Sequence, residues 1–163
     1  MSLPALAKML DMAGKHAKTI LVERQLPSMV PLFDLRDAED QSYLVGAIFT
    51  GDTPQQVIDC KDAVAEMIRK LIIEHKIVRY AFLSEAWMIV RRNNWKEGIS
   101  TPPSEAADRV EVVIATAQDR TNYMSRRWLL KRDKRGKAID LVFGPEMEGE
   151  TPAPSGRFDG LLD

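Results

Sequence analysis

Four carboxylates, Glu85, Glu105, Asp108 and Glu111, are the residues in this chain whose types and spacing could do chemistry. Clustered carboxylate oxygens bind hard cations such as magnesium, which can position a phosphate or activate a water. That chemistry would make the chain a metal-dependent phosphoester hydrolase, with Lys61 or Arg109 steadying the phosphate. The spacing matches no defined metal motif. A restriction-type nuclease would carry a lysine two residues after the strand glutamate, whereas Glu111 is followed by Val112 and Val113. No metal ligand set is therefore assigned, and Mg2+ enters only under the hydrolase alternative.

Glu85 stands in the most apolar run of the chain, "YAFLSEAWMIV". Alternation along an extended segment puts Arg79, Ala81, Leu83, Glu85, Trp87 and Ile89 on one face. A lone carboxylate on such a face is costly to bury, so it must be paired, protonated or close to water. Arg109 opens the next strand, and an antiparallel return across the loop at 91–108 would set it beside Glu85. The expectation is a structural Glu85–Arg109 pair first and a functional carboxylate second, because architectural ion pairs also perturb carboxylates. Lys61, on the apolar side of a helix near Val57 and Val64, is expected to snorkel out of the core. The functional alternative sends its ammonium to the carboxylate cluster. His16 and His75 lie on helices far from these segments in sequence. Cys60 sits on an apolar stripe and reads as a packing residue, not a nucleophile. The sequence contains no phosphate-binding glycine loop, dinucleotide turn or elbow serine.

A second group of residues is basic. Lys131, Arg132, Lys134, Arg135 and Lys137 crowd a hairpin tip, with Arg91–Arg92 and Arg126–Arg127 elsewhere and Trp95 and Trp128 in the same half of the chain. Cations interleaved with aromatic rings could hold a nucleic-acid backbone. Charged hairpin tips are also ordinary solvated turns, and charged edges discourage aggregation.

The elements that must carry these residues follow from periodicity. Residues 3–24 have an amphipathic helical pattern, weakened by Gly14 and ended by Pro27 and Pro31. "MVPLFDLRD" and "SYLVGAIFTG" read as a strand pair. Thr53, Pro54 and Gln56 form the N-terminal signature of a second helix, whose stripe runs from Val57 to Ile72. Residues 77–89 form a long strand that is apolar on both faces, as in the middle of a sheet. "RVEVVIATAQ", "RRWLLKR" and "AIDLVFG" complete the strands, the last two turned by "DKRGK". This order predicts an α+β domain over 1–144, with a mainly antiparallel sheet of five to six strands and both helices on one face. The order resembles that of profilin-like and roadblock-type proteins, a likeness that does not fix function. Residues 145–163 read as a flexible acidic tail. Its last stretch, "GRFDGLLD", would be disordered or would dock on a partner or on the same protein.

Composition sets the remaining bounds. From Gly144 onward five acids face one base, a net −4, which leaves 22 bases and 19 acids, or +3, in the first 143 residues. So mild an excess does not by itself demand nucleic acid. No apolar run reaches the roughly 18 residues of a membrane helix, and "MSLPALAKML" lacks the layout of a secretory signal. The single cysteine excludes an intrachain disulfide and cysteine-based zinc sites. A cytoplasmic protein is expected.

Over residues 25–118 the motifs "LSEAW" and P-S-E-x-x-x-R-x-E resemble a group of small uncharacterised bacterial and phage proteins. The matching positions are Ser84, Glu85, Ala86, Trp87, Pro103, Ser104, Glu105, Arg109 and Glu111, with Lys61 as the lysine of the preceding helix. The resemblance brings no activity with it; it implies a shared surface and a linked Glu85–Arg109 pair. With no nucleophile–base arrangement in view, the first reading of function is a non-enzymatic protein-interaction module that forms a homo-oligomer. The hydrolase ranks second, and a nucleic-acid accessory protein acting through the basic hairpin ranks third.

Overall fold

The computed structural model describes residues 2–89, 109–143 and 158–162, with side chains over 3–86, 110–143 and 158–162. Helix α1 (Ser2–Lys18) runs into a short π-helical turn at Thr19–Glu23. Strands β1 (Leu32–Asp37) and β2 (Ser42–Gly46) follow, then helix α2 (Pro54–His75), β3 (Ile77–Ile89), β4 (Arg109–Gln118), β5 (Tyr123–Arg132) and β6 (Ala138–Phe143). The strands form one six-stranded sheet in the order β2-β1-β3-β4-β5-β6. Every pairing in it is antiparallel. This is the expected α+β fold with an antiparallel sheet.

Local chemistry explains the element boundaries. Thr53 accepts from the Gln56 N–H while the Gln56 side chain returns to the Thr53 N–H, a complete capping box with Pro54 behind it. The helix closes at Lys76, whose left-handed backbone (φ 53°) turns the chain into β3. Strand β2 stops at Gly46, shorter than its apolar run. The next residue, Ala47, donates to the carbonyl of Pro31, just before β1. Proline has no N–H to return, so the ladder ends there.

The two helices lie on opposite faces of the sheet, not on one. Leu6, Met9, Leu10, Ala17 and Leu21 from the α1 region pack with Ala81, Leu83, Val113, Ala115, Trp128 and Leu130. Ala65, Ile68 and Ile72 of α2 pack with Phe33, Leu35 and Tyr80. Strand alternation sends Ala81 and Leu83 of β3 to the first core and Tyr80 and Phe82 to the second. A strand apolar on both faces is thus covered on both. Gly14 belongs to the first core: a Cβ there would stand 2.8 Å from the Trp128 ring, so the mid-helix glycine lets the indole lie against α1.

The expected flexible tail does not describe residues 158–162. Leu161 and Leu162 are buried in the α2-side core, and Phe158 packs against it. No helix among the described residues is long and apolar enough to cross a membrane.

Candidate functional site

Glu85 lies where the sheet leaves the α1-side core. Leu83, two residues earlier on the same face, is buried, whereas Glu85 as a residue is exposed. Its Oε1 accepts a hydrogen bond of 2.8 Å from the backbone N–H of Met29, in the chain leading into β1. The carboxylate therefore anchors an incoming segment that has no strand partner of its own at that position. Loss of hydration raises the Glu85 carboxyl above the ordinary carboxylate range. The Met29 N–H opposes this, Glu111 adds to it and Arg132 opposes it.

The expected partnership with Arg109 is not what the register gives. Glu85 stands opposite Val113, and Arg109 stands opposite Ile89. Four strand residues separate the two positions, about 13 Å of strand. Among the described residues, Arg132 of β5 is a cation that reaches this end of the sheet. It grips Glu111 with Nε at 3.0 and 3.1 Å and Nη2 at 2.9 Å, while its Nη1 donates to the Gly136 carbonyl at 2.8 Å. Glu85, Ala86, Glu111, Val112 and Leu130 line a concavity of about 220 Å³. Its two carboxylates differ in state: one is fixed by a backbone amide, the other is neutralised by a guanidinium.

The remaining predicted residues are described only in part. Ser84 pairs with Ile114 and, by alternation, points to the face opposite Glu85. Trp87 stands opposite Glu111 in the ladder, and its side chain lies outside the described residues. Ser104, Glu105 and Asp108 also lie outside them, as does the side chain of Arg109. Among the described residues no group of three or more histidine, cysteine or acidic side chains could hold a metal. Lys61 is on the α2 side of the sheet, where its Nζ sits 5.6 Å from the centre of the Phe49 ring. Its ammonium thus lies on the face of the sheet opposite Glu85.

The basic hairpin is a well-made turn. Asp133 accepts from the Lys137 N–H and the Arg135 N–H, and Gly136 takes the positive φ (82°) that the turn requires. Lys131, Lys134, Arg135 and Lys137 are exposed, whereas Arg132 is engaged by Glu111. Trp128 does not join them: it is 7% exposed, beneath α1. The described hairpin tip therefore has cations without an aromatic platform.

Sequence reasoning missed an ionic network on β1. Asp34 and Arg36 share a face, and Arg36 forks onto Asp34 with two bonds of 2.9 Å. Ser42 of β2 donates to Asp34 at 2.6 Å, and Asp40 sits 3.4 Å from both Arg36 and Arg79. The hydrogen bond to Asp34 raises the Arg36 guanidinium above its usual range. The i, i+2 spacing of opposite charges was the available signal. The cluster ties the β1–β2 hairpin to β3, and within it Asp34, Arg36 and Ser42 face Met12, Ala13 and His16 of α1 across a shared concavity.

Together these features define an α+β protein with a fully antiparallel six-stranded sheet between two helices, whose candidate site pairs an anchored carboxylate with a neutralised one. Comparison with protein-family models, curated proteins and solved structures returns no match.

The Glu85 geometry gives a signed expectation. A carboxyl raised in the folded state contributes stability below its unfolded value, and that contribution is lost as pH rises through the folded value. At pH 7 the ionised group is a cost, and glutamine keeps an acceptor for the Met29 N–H. Glu85→Gln should therefore melt at or above the wild type at pH 7, with the gap closing below about pH 4.3, the ordinary glutamate range. Thermal denaturation at both pH values checks this, and a clear loss of stability at pH 7 would contradict it.

Proposed function

We propose that the protein is a non-enzymatic assembly module that dimerises by joining the β2 edges of two copies. The supporting observation is the nature of that edge. β2 ends the sheet, and its five residues, Ser42–Gly46, include no charge and no proline. Natural edge strands are blunted by lysine, proline or bulges, because their free N–H and C=O groups are a template for another strand. β2 has none of these devices, and Leu44 on it is 57% exposed. Met12, which shares a concavity with Leu44, and Val30, beside Gly46, are about half exposed and extend the apolar surface. The opposite edge differs: β6 carries Asp140, 3.6 Å from Lys18.

An antiparallel β2–β2 contact is self-complementary, as a two-fold dimer requires, and would continue the sheet through both copies. It would bring the two Leu44 side chains together on the α1 face. The hydrolase alternative has less support, since a cation site needs open carboxylate oxygens and Glu111 is occupied by Arg132. The nucleic-acid alternative lacks aromatic rings at the described hairpin tip.

Light scattering tests the proposal. At micromolar concentration the wild type should give about twice the chain mass of 18.4 kDa. Leu44→Lys, which adds the missing edge charge, should give the single-chain mass with an unchanged circular dichroism spectrum. A wild type that stays monomeric at every concentration removes the reading.

A further inference from the structure

The segment Phe158–Leu162 is seated in a groove whose side chains are matched to it position by position. The Phe158 ring stacks on Phe49 and Phe82, with centroids at 5.2 and 5.1 Å, and meets Phe33 edge-on at 5.3 Å. The Tyr80 hydroxyl donates to the Phe158 carbonyl at 2.7 Å and accepts from the Leu161 N–H at 3.2 Å. Gln118 uses both ends of its amide: Nε2 donates to Asp159 at 3.2 Å, and Oε1 accepts from the Gly160 N–H at 2.9 Å. Gly160 has φ of 66°, a conformation that favours glycine, and it turns Leu161 and Leu162 into the core at 2% and 5% exposure.

Gln118 is itself 2% exposed and Tyr80 is fully buried. A buried glutamine needs partners for its donor and its acceptor, and both of these come from the segment. The groove thus reads an aromatic ring, an acceptor, a glycine in the left-handed region and two leucines, within five consecutive residues. That is the logic of a peptide site, in which backbone hydrogen bonds set the register and pockets set the sequence.

We propose that this groove is a peptide-recognition site for a Phe-Asp-Gly-Leu-Leu segment, filled by the chain's own segment and exchangeable for the same segment of a second copy. Residues 144–157, 14 in all, link β6 to the segment. A second copy's segment makes identical contacts, so exchange changes which chain supplies the ligand and not the chemistry. The site is on the α2 side, away from the Leu44 surface, and the proposal stands independently of dimerisation through β2.

The test uses the full chain and a fluorescent peptide of residues 157–163 as the stand-in for a second copy's segment. Phe158→Ala in the protein weakens the tethered competitor. The peptide should then bind at least about tenfold more tightly to the variant than to the wild type, by fluorescence anisotropy, the advantage set by removing that competitor. A folded variant that binds no peptide, or equal affinity for both proteins, overturns the proposal. Should Phe158→Ala fail to fold, hydrogen exchange on the wild type decides. Millimolar unlabelled peptide should accelerate exchange of the Leu161 amide several-fold and leave the β3 amides unchanged. No acceleration, or the same acceleration by a peptide with alanine in place of its phenylalanine, overturns it.

Discussion

Phe33→Ala should lower the stability of the protein by about 3–5 kcal/mol, the range for deleting a buried aromatic side chain. Phe33 is fully buried on the α2 side of β1. Its ring lies 4.5 Å from that of Phe82 and 5.3 Å from that of Phe158. Alanine leaves a void that neither neighbour can fill without breaking its own stacking, so the transfer and cavity costs add. Each kcal/mol corresponds to about 2–4 °C of melting temperature at this chain length, so a fall of roughly 6–20 °C is expected. Urea denaturation should show a lower midpoint with an unchanged slope. A loss below about 1 kcal/mol would mean that the two cores are packed less tightly than described.

The second large effect belongs to the ionic network on β1. Arg36→Ala should cost about 3 kcal/mol, the low end for breaking a buried pair. The side chains of Arg36 and Asp34 keep only 12% and 16% of their exposure. Removal of the guanidinium leaves the Asp34 carboxylate with the Ser42 hydroxyl and strips Asp40 of one of its two arginines. The double replacement Asp34→Leu with Arg36→Met removes both charges and should return most of the loss, because apolar residues of similar size often match a buried pair. Equal losses in the single and double variants would show that the hairpin needs the charges themselves. Equilibrium denaturation of the three proteins is the measurement.

Much of the fold was legible because its determinants are local. The Thr53–Gln56 capping box, the long apolar strand at 77–89 and the "RVEVVIATAQ" strand all stand where periodicity and capping chemistry put them. The side of the sheet taken by each helix was misread, although the signal was present. A strand apolar on both faces needs a cover on each. The pairing of Glu85 was out of reach, since antiparallel register across a long connection is set by packing and not by the spacing of two charges. Its real partner, the Met29 amide, carries no side-chain signature at all. Phe158–Leu162 follows a polar, proline-containing stretch whose composition ranked disorder above docking on the same protein. The phenylalanine, glycine and leucine pair were the hint that this end has somewhere to pack.

The position of β3 between the two helices has a consequence for cooperativity. Ala81 and Leu83 face α1, while Tyr80 and Phe82 face α2 and the Phe158 segment. A change on either side must be transmitted through one backbone, whose hydrogen bonds to β1 and β4 hold both layers in register. β3 thus joins the two layers through one backbone, and the glutamate near its end fastens the chain entering β1 to that same strand.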